Sequence, residues 1–107
     1  MNKYNKDGFI SGGEIFDKLD RYAQMLVETQ SSCKYNFTHK AYITYLKQLC
    51  TDDYYIGYNW VWKVPFINVF FVKIYAKDKF ANKVASGIFK FVGKEKNYCL
   101  TIKNKKI

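Results

Sequence analysis

The stretch from Ile15 to Val27 carries one amphipathic stripe, and no later part of the chain repeats its period. Apolar side chains fall at Ile15, Phe16, Leu19, Tyr22, Ala23, Leu26 and Val27, with Glu14, Asp17, Lys18, Arg21 and Glu28 between them. That spacing lines one face of an α-helix with hydrocarbon. Ser11 with Glu14 three positions later marks the start as a capping box, in which each side chain satisfies an orphaned backbone donor, worth about 1 kcal/mol. Gly12 and Gly13 lie just inside it. The helix is expected to fade near Thr29, because Gln30, Ser31 and Ser32 compete for backbone hydrogen bonds.

Beyond the helix the period changes to two. The segments Phe37 to Lys47, Tyr54 to Val64, Phe66 to Ala76, Lys83 to Val92 and Tyr98 to Ile102 are rich in aromatic and β-branched residues, which predicts five strands. Turn-like Thr51-Asp52-Asp53, Lys77-Asp78-Lys79 and Gly93-Lys94-Glu95 separate them. Pro65 cannot donate to a ladder and marks an edge, bulge or break. One helix followed by antiparallel strands is an α+β layout in which the helix covers one sheet face.

A chain of 107 residues has room for a single domain, residues 1–107, and a second core would fall below the usual folding size. Its 49% hydrophobic and 20% aromatic content is enough for a packed interior. A domain this small hides only about two-thirds of its unfolded surface, so the surplus of Tyr, Trp and Phe is expected to be covered by another subunit or a ligand. The net charge of +9 suits a polyanion. The lysines, however, are scattered from Lys3 to Lys106, clustering only at Lys94, Lys96, Lys103, Lys105 and Lys106, and Arg21 is the single arginine. A dedicated nucleic-acid role is therefore not expected. Cys33, Cys50 and Cys99 lack CxxC pairing and read as reduced thiols. No apolar signal segment opens the chain, and Lys63, Pro65 and Lys73 interrupt its longest apolar stretch. A cytoplasmic protein without a membrane span is the expectation.

Two glycines at a helix mouth let another group approach first-turn N–H groups, where the positive end of the helix dipole stabilises developing negative charge. Tight packing of the helix start explains Gly12 and Gly13 equally well. Asp20 lies at the edge of the apolar stripe beside Phe16 and Ala23. It reads either as a partly buried base or nucleophile, or as a solvated residue paired with Gln24 or a lysine. His39, the only histidine, falls in a predicted strand without a Ser or Cys motif and reads as a satisfied structural residue. No metal-ligand spacing, P-loop or dinucleotide fingerprint is present.

Taken together, Asn5-Lys6-Asp7-Gly8-Phe9-Ile10-Ser11-Gly12-Gly13-Glu14-Ile15 followed by Leu19-Asp20 resembles the N-x-x-G-x-x-x-G-G segment and helical Asp of hotdog-fold acyl-CoA thioesterases. Tyr45-Leu46-Lys47-Gln48-Leu49 with Asp52-Asp53 is similar to that family's F-L-K-P-I-x-x-G-D strand and turn. Ala85 to Val92 resembles its closing strand. Gln48, Asp52 and Ser11 depart from the family pattern. Only Met1 to Tyr4 precede Asn5, where relatives usually have a further strand, so either the sheet lacks that edge strand or the sequence is a shortened one.

The resemblance implies a hotdog fold, one long helix packed on a mostly antiparallel sheet, assembled as a homodimer or higher oligomer with sites at the subunit interface. It implies hydrolysis of an acyl-CoA thioester, with coenzyme A as part of the substrate and no separate cofactor or metal. The Gly12 N–H would polarise the thioester carbonyl, Asn5 would orient carbonyl or water, and Gly13 would keep the helix mouth open. Asp20 of the partner subunit would act as base or nucleophile. Lys90, Lys94 and Lys96 are candidates for the phosphates of coenzyme A. Tyr22 with some of Trp60, Trp62 and Phe70 are candidates for lining an acyl tunnel. The alternatives are a hotdog domain that binds an acyl-CoA or acyl-carrier ligand without hydrolysing it, and a basic RNA-binding domain.

Overall fold

In the computed structural model, residues 4, 8–51 and 53–94 are described. Helix α1 spans Gly12–Gln30 and is followed by β1 (Tyr35–Tyr45), β2 (Tyr54–Lys63), β3 (Val69–Asp78) and β4 (Lys83–Lys94). Ser11 is the N-cap in extended conformation, and its hydroxyl accepts a hydrogen bond from the Glu14 N–H at 3.1 Å. Half of the capping box thus forms as the sequence dictates. The Glu14 carboxylate also lies 3.7 Å from Lys18 Nζ, one turn on.

The strands form one antiparallel sheet in the order β1-β4-β3-β2. β3 alternates strictly, and β4 does so from Ala85 onward, after an irregularity at Val84. Phe70, Val72, Ile74 and Ala76 of β3 and Ala85, Phe89 and Phe91 of β4 are buried on the face that receives α1. The helix returns Ile15, Leu19, Ala23 and Val27 to the same core, and the Phe16 and Phe89 rings meet at 5.6 Å. Full burial of a side chain such as Leu19 contributes about 1.5–3 kcal/mol. One helix on one antiparallel sheet is the α+β architecture expected from the change of period.

The bounds differ from expectation where local geometry intervenes. β3 begins at Val69 instead of Phe66, because Phe66 adopts a left-handed backbone (φ 69°) in the turn after Pro65. The Val64 N–H bonds the Val69 carbonyl at 2.9 Å to close that hairpin. β1 ends at Tyr45 because the N–H groups of both Leu46 and Lys47 turn to one acceptor, the Val84 carbonyl, at 2.7 and 3.2 Å. Register shifts interrupt β1 between Thr38 and Lys40, and β2 between Tyr58 and Trp60. Four strands lie among the described residues; the fifth expected strand, Tyr98 to Ile102, lies outside them. So do Asn5, Asp52, Lys96 and Cys99.

Cys33 is buried and Cys50 exposed. No helix among the described residues is long and apolar enough to cross a membrane. The molecule is slender, 51 × 31 × 19 Å with a radius of gyration of 16.2 Å, against about 13 Å for a compact domain of this length.

Candidate active site

The start of α1 opens into a cavity of about 190 Å³ lined by Ile10, Gly12, Ile15, Tyr45, Lys47 and Gln48. Ile10 is fixed there by its N–H to the Leu49 carbonyl at 2.6 Å. Tyr45, the last residue of β1, donates its hydroxyl to the Gly12 carbonyl at 2.8 Å. A Cβ added at Gly12 would meet the Tyr45 ring at 3.3 Å, so glycine leaves this phenol room to sit against the helix start. Burial pushes the Tyr45 phenol above its ordinary value, which keeps it a neutral donor.

The donors of the first turn divide cleanly. The Glu14 N–H goes to the Ser11 hydroxyl and the Ile15 N–H to the Ser11 carbonyl at 3.3 Å. Among the described residues no acceptor faces the N–H of Gly12 or Gly13, and both glycines are exposed. Two amides without an acceptor among the described residues, at the positive end of a helix dipole, suit an anion.

Asp20 lies on the same helix, eight residues from Gly12, which is about 12 Å of axial rise. It is half-buried, and its Oδ1 accepts a hydrogen bond from Thr38 Oγ1 at 2.6 Å. Oδ2 has no partner among the described residues. Thr38 was not among the residues singled out from sequence. It reaches Asp20 because β1 runs back along the helix, anchored by a chain of hydrogen bonds at the turn. The Ser31 hydroxyl donates to Asn36 Oδ1 at 2.8 Å and accepts the Cys33 N–H at 3.0 Å. Gln24 Nε2 donates to the Asn36 carbonyl at 3.2 Å. Asn36 is itself buried, which fixes where β1 starts and therefore which β1 residue faces Asp20.

The remaining candidates are placed elsewhere. Lys90 pairs in register with Lys40 and Phe71, and Lys94 with Tyr35, on the sheet face away from α1. Neither is brought beside Gly12 within the protomer. Trp60 and Trp62 stand opposite Lys73 and Phe71 on that same outer face, so they do not line a space between helix and sheet; the register shift after Tyr58 turns them outward. Phe70 is wholly buried in the core, and Tyr22 packs partly buried against Tyr58 at 6.5 Å. His39 is exposed at the β1 irregularity.

No protein-family model matches the chain, and no curated protein matches it by sequence. Solved structures do match. A Streptococcus mutans protein bound to acetyl CoA superimposes with a TM-score of 0.75 at 23% identity, over 88% of this chain and 75% of that one. A hypothetical thioesterase of Streptococcus pneumoniae, solved with coenzyme A, gives 0.75 at 18% identity over the same shares, 88% and 75%. The fold is the hotdog fold. Zebra fish thioesterase superfamily member 2 is a further hotdog neighbour, with a TM-score of 0.68 at 18% identity over 82% of this chain and 64% of that one. The pneumococcal hotdog protein has also been solved with a threonine-to-alanine and with an aspartate-to-alanine substitution.

Proposed function

We propose that this hotdog protein is a thioester hydrolase acting on an acyl-CoA, with each active site shared between two protomers. The observation that carries the reading is the separation of its two halves on α1. Helix-start amides stand at Gly12 and a held carboxylate at Asp20, about 12 Å apart along the axis. One thioester group cannot touch both in a single protomer. A second copy running antiparallel would bring the Asp20 of the partner subunit to the Gly12 amide. The coenzyme A ligands of the streptococcal neighbours support the substrate class, and the residue types substituted in the pneumococcal protein are those of the Asp20–Thr38 pair.

In this reading the Gly12 N–H donates a hydrogen bond to the developing oxyanion, helped by the dipole of α1. Asp20 removes a proton from water through its unengaged oxygen, and the hydroxide adds to the thioester carbon. The tetrahedral intermediate then expels the coenzyme A thiolate, which takes up a proton, leaving the free acid. Thr38 positions Asp20 by fixing one carboxylate oxygen. Asn5 stands in the sequence where it would orient carbonyl or water.

A thiol-release assay over a panel of acyl-CoAs tests this. Asp20→Asn is expected to abolish turnover while retaining acyl-CoA binding. Thr38→Ala removes a hydrogen bond to a charged group, worth about 1.5–3 kcal/mol, and is expected to lower kcat about ten- to a hundredfold. Equal turnover by wild type and Asp20→Asn would refute the mechanism, and binding without turnover by wild type would make the protein a ligand-binding hotdog domain.

A further inference from the structure

Among the described residues, the sheet face turned away from α1 differs in charge from the helix on the other side. Lys40, Lys73, Lys77, Lys83, Lys90 and Lys94 all stand on it, as the cross-strand register places them. The four strands contain one carboxylate, Asp78, and it faces the other way, bonded to Lys47 at 2.8 Å. Helix α1, on the opposite side, carries Glu14, Asp17, Asp20 and Glu28 against Lys18 and Arg21. Six lysines that look scattered along the chain are gathered by the fold onto one face.

Their arrangement works against folding. Lys40 is directly opposite Lys90, and Lys77 directly opposite Lys83, pairings of like charge that destabilise a sheet. The ion pairs among the described residues, Lys18–Glu14, Arg21–Asp17 and Lys47–Asp78, relieve none of them. Beside these lysines a hollow of about 200 Å³ is lined by Tyr42, Thr44, Lys73, Ser86, Gly87 and Ile88. An ammonium and hydroxyl groups at one depression are the ligand set of a phosphate. One register row crosses the sheet there as Tyr42, Ile88, Lys73 and Trp60. Tyr42 is 70% exposed and Trp60 41%. They are three strand spacings apart, about 14 Å, with the basic hollow between them.

We propose that this outer face binds a single-stranded polynucleotide, its phosphates over the Lys73 hollow and its bases stacked on Tyr42 and Trp60. Charge decides the occupant. A second copy laid face to face would set the same lysines against one another, whereas a polyanion relieves the opposed pairs and also has flat rings for the aromatic side chains. This face is distinct from the helix mouth, so the inference stands whether or not the protein hydrolyses thioesters.

Fluorescence anisotropy of the full chain with a short, labelled, mixed-sequence oligoribonucleotide tests it. If about five phosphates are neutralised, Kd should weaken about a hundredfold between 50 and 200 mM salt, since the single-strand slope is about −0.7 per phosphate. Lys90→Glu places an acid opposite Lys40, so it should raise Tm while weakening oligonucleotide binding, opposite signs that a purely structural role would not give. Tyr42→Ala should weaken oligonucleotide binding about tenfold and leave heparin binding unchanged. The proposal is overturned by absence of binding at low salt, or by affinity indifferent to both substitutions. Tighter binding to phosphatidylserine vesicles would assign the face to lipid instead, and a changed oligomeric state in Lys90→Glu would assign it to a second copy; either result also overturns it.

Discussion

Gly12→Pro separates the proposed catalytic amide from everything structural around it. Gly12 is the first residue of α1, where proline costs no intrahelical hydrogen bond and its fixed φ suits the helix. Ser11 has φ −68° and ψ 148°, a conformation that the residue before a proline prefers. The nearest atoms an added Cβ meets belong to the ring end of Tyr45, at 3.3–3.5 Å, and that half-exposed side chain can shift by a few tenths of an ångström. The variant should therefore melt close to wild type, within the ±0.5 kcal/mol or so of a benign substitution. Loss of one oxyanion donor should lower kcat about 10²–10³-fold. The geometry adds a second expectation. When Gly12→Pro and Asp20→Asn chains are unfolded together in equal amounts and refolded, half of the dimers are mixed. Each mixed dimer has one intact and one doubly impaired site, so activity should recover to about a quarter of wild type. A thiol-release assay on parents and mixture reads both. Full activity in Gly12→Pro would remove the amide from the mechanism, and a mixture no better than its parents would show that the site is not shared.

Two further outcomes concern the scaffold. Leu19 is wholly buried between helix and sheet, so Leu19→Ala should cost about 2–5 kcal/mol, read as a fall in the urea midpoint; a loss under about 1 kcal/mol, well below that range, would mean that the helix does not pack as described. Asp78 is held from 3.8 down to about 2, first by the Lys47 hydrogen bond and then by the Asn82 and Phe80 N–H groups. A depressed carboxylate stabilises the fold above its unfolded pKa and ceases to do so as pH falls through the folded one. Wild type should thus melt above Asp78→Asn at neutral pH, with the gap closing between about pH 4 and pH 2. A gap independent of pH over that window would refute the ion pair.

Local signals located the helix and its cap because Ser11, Glu14 and the stripe that follows lie within a few turns of one another. Strands β2 and β4 were legible for the same reason. The start of β3 was not, since nothing in the residue type announces that Phe66, a bulky aromatic, takes a left-handed backbone. Of the site, Gly12 is marked by the residues beside it. The partner of Asp20 is not, because Thr38 lies across a helix end and a turn, and only the anchoring of Asn36 brings it into place. An uninterrupted period of two would group Trp60 with Tyr54, Ile56 and Tyr58 on the helix side; the irregularity in β2 sends it to the other. The basic face was hidden likewise, because strand parity and pairing, not proximity in sequence, bring its lysines together.

The interruption in β1 has its own consequence. Thr38 and Tyr45 are an odd number of positions apart, and a regular pleat aims such residues at opposite sides. The extra residue at His39 resets the count, so that one strand steadies the carboxylate at Asp20 with its first part and touches the helix mouth with its last residue. A strand one residue shorter could serve one end of α1 or the other, never both.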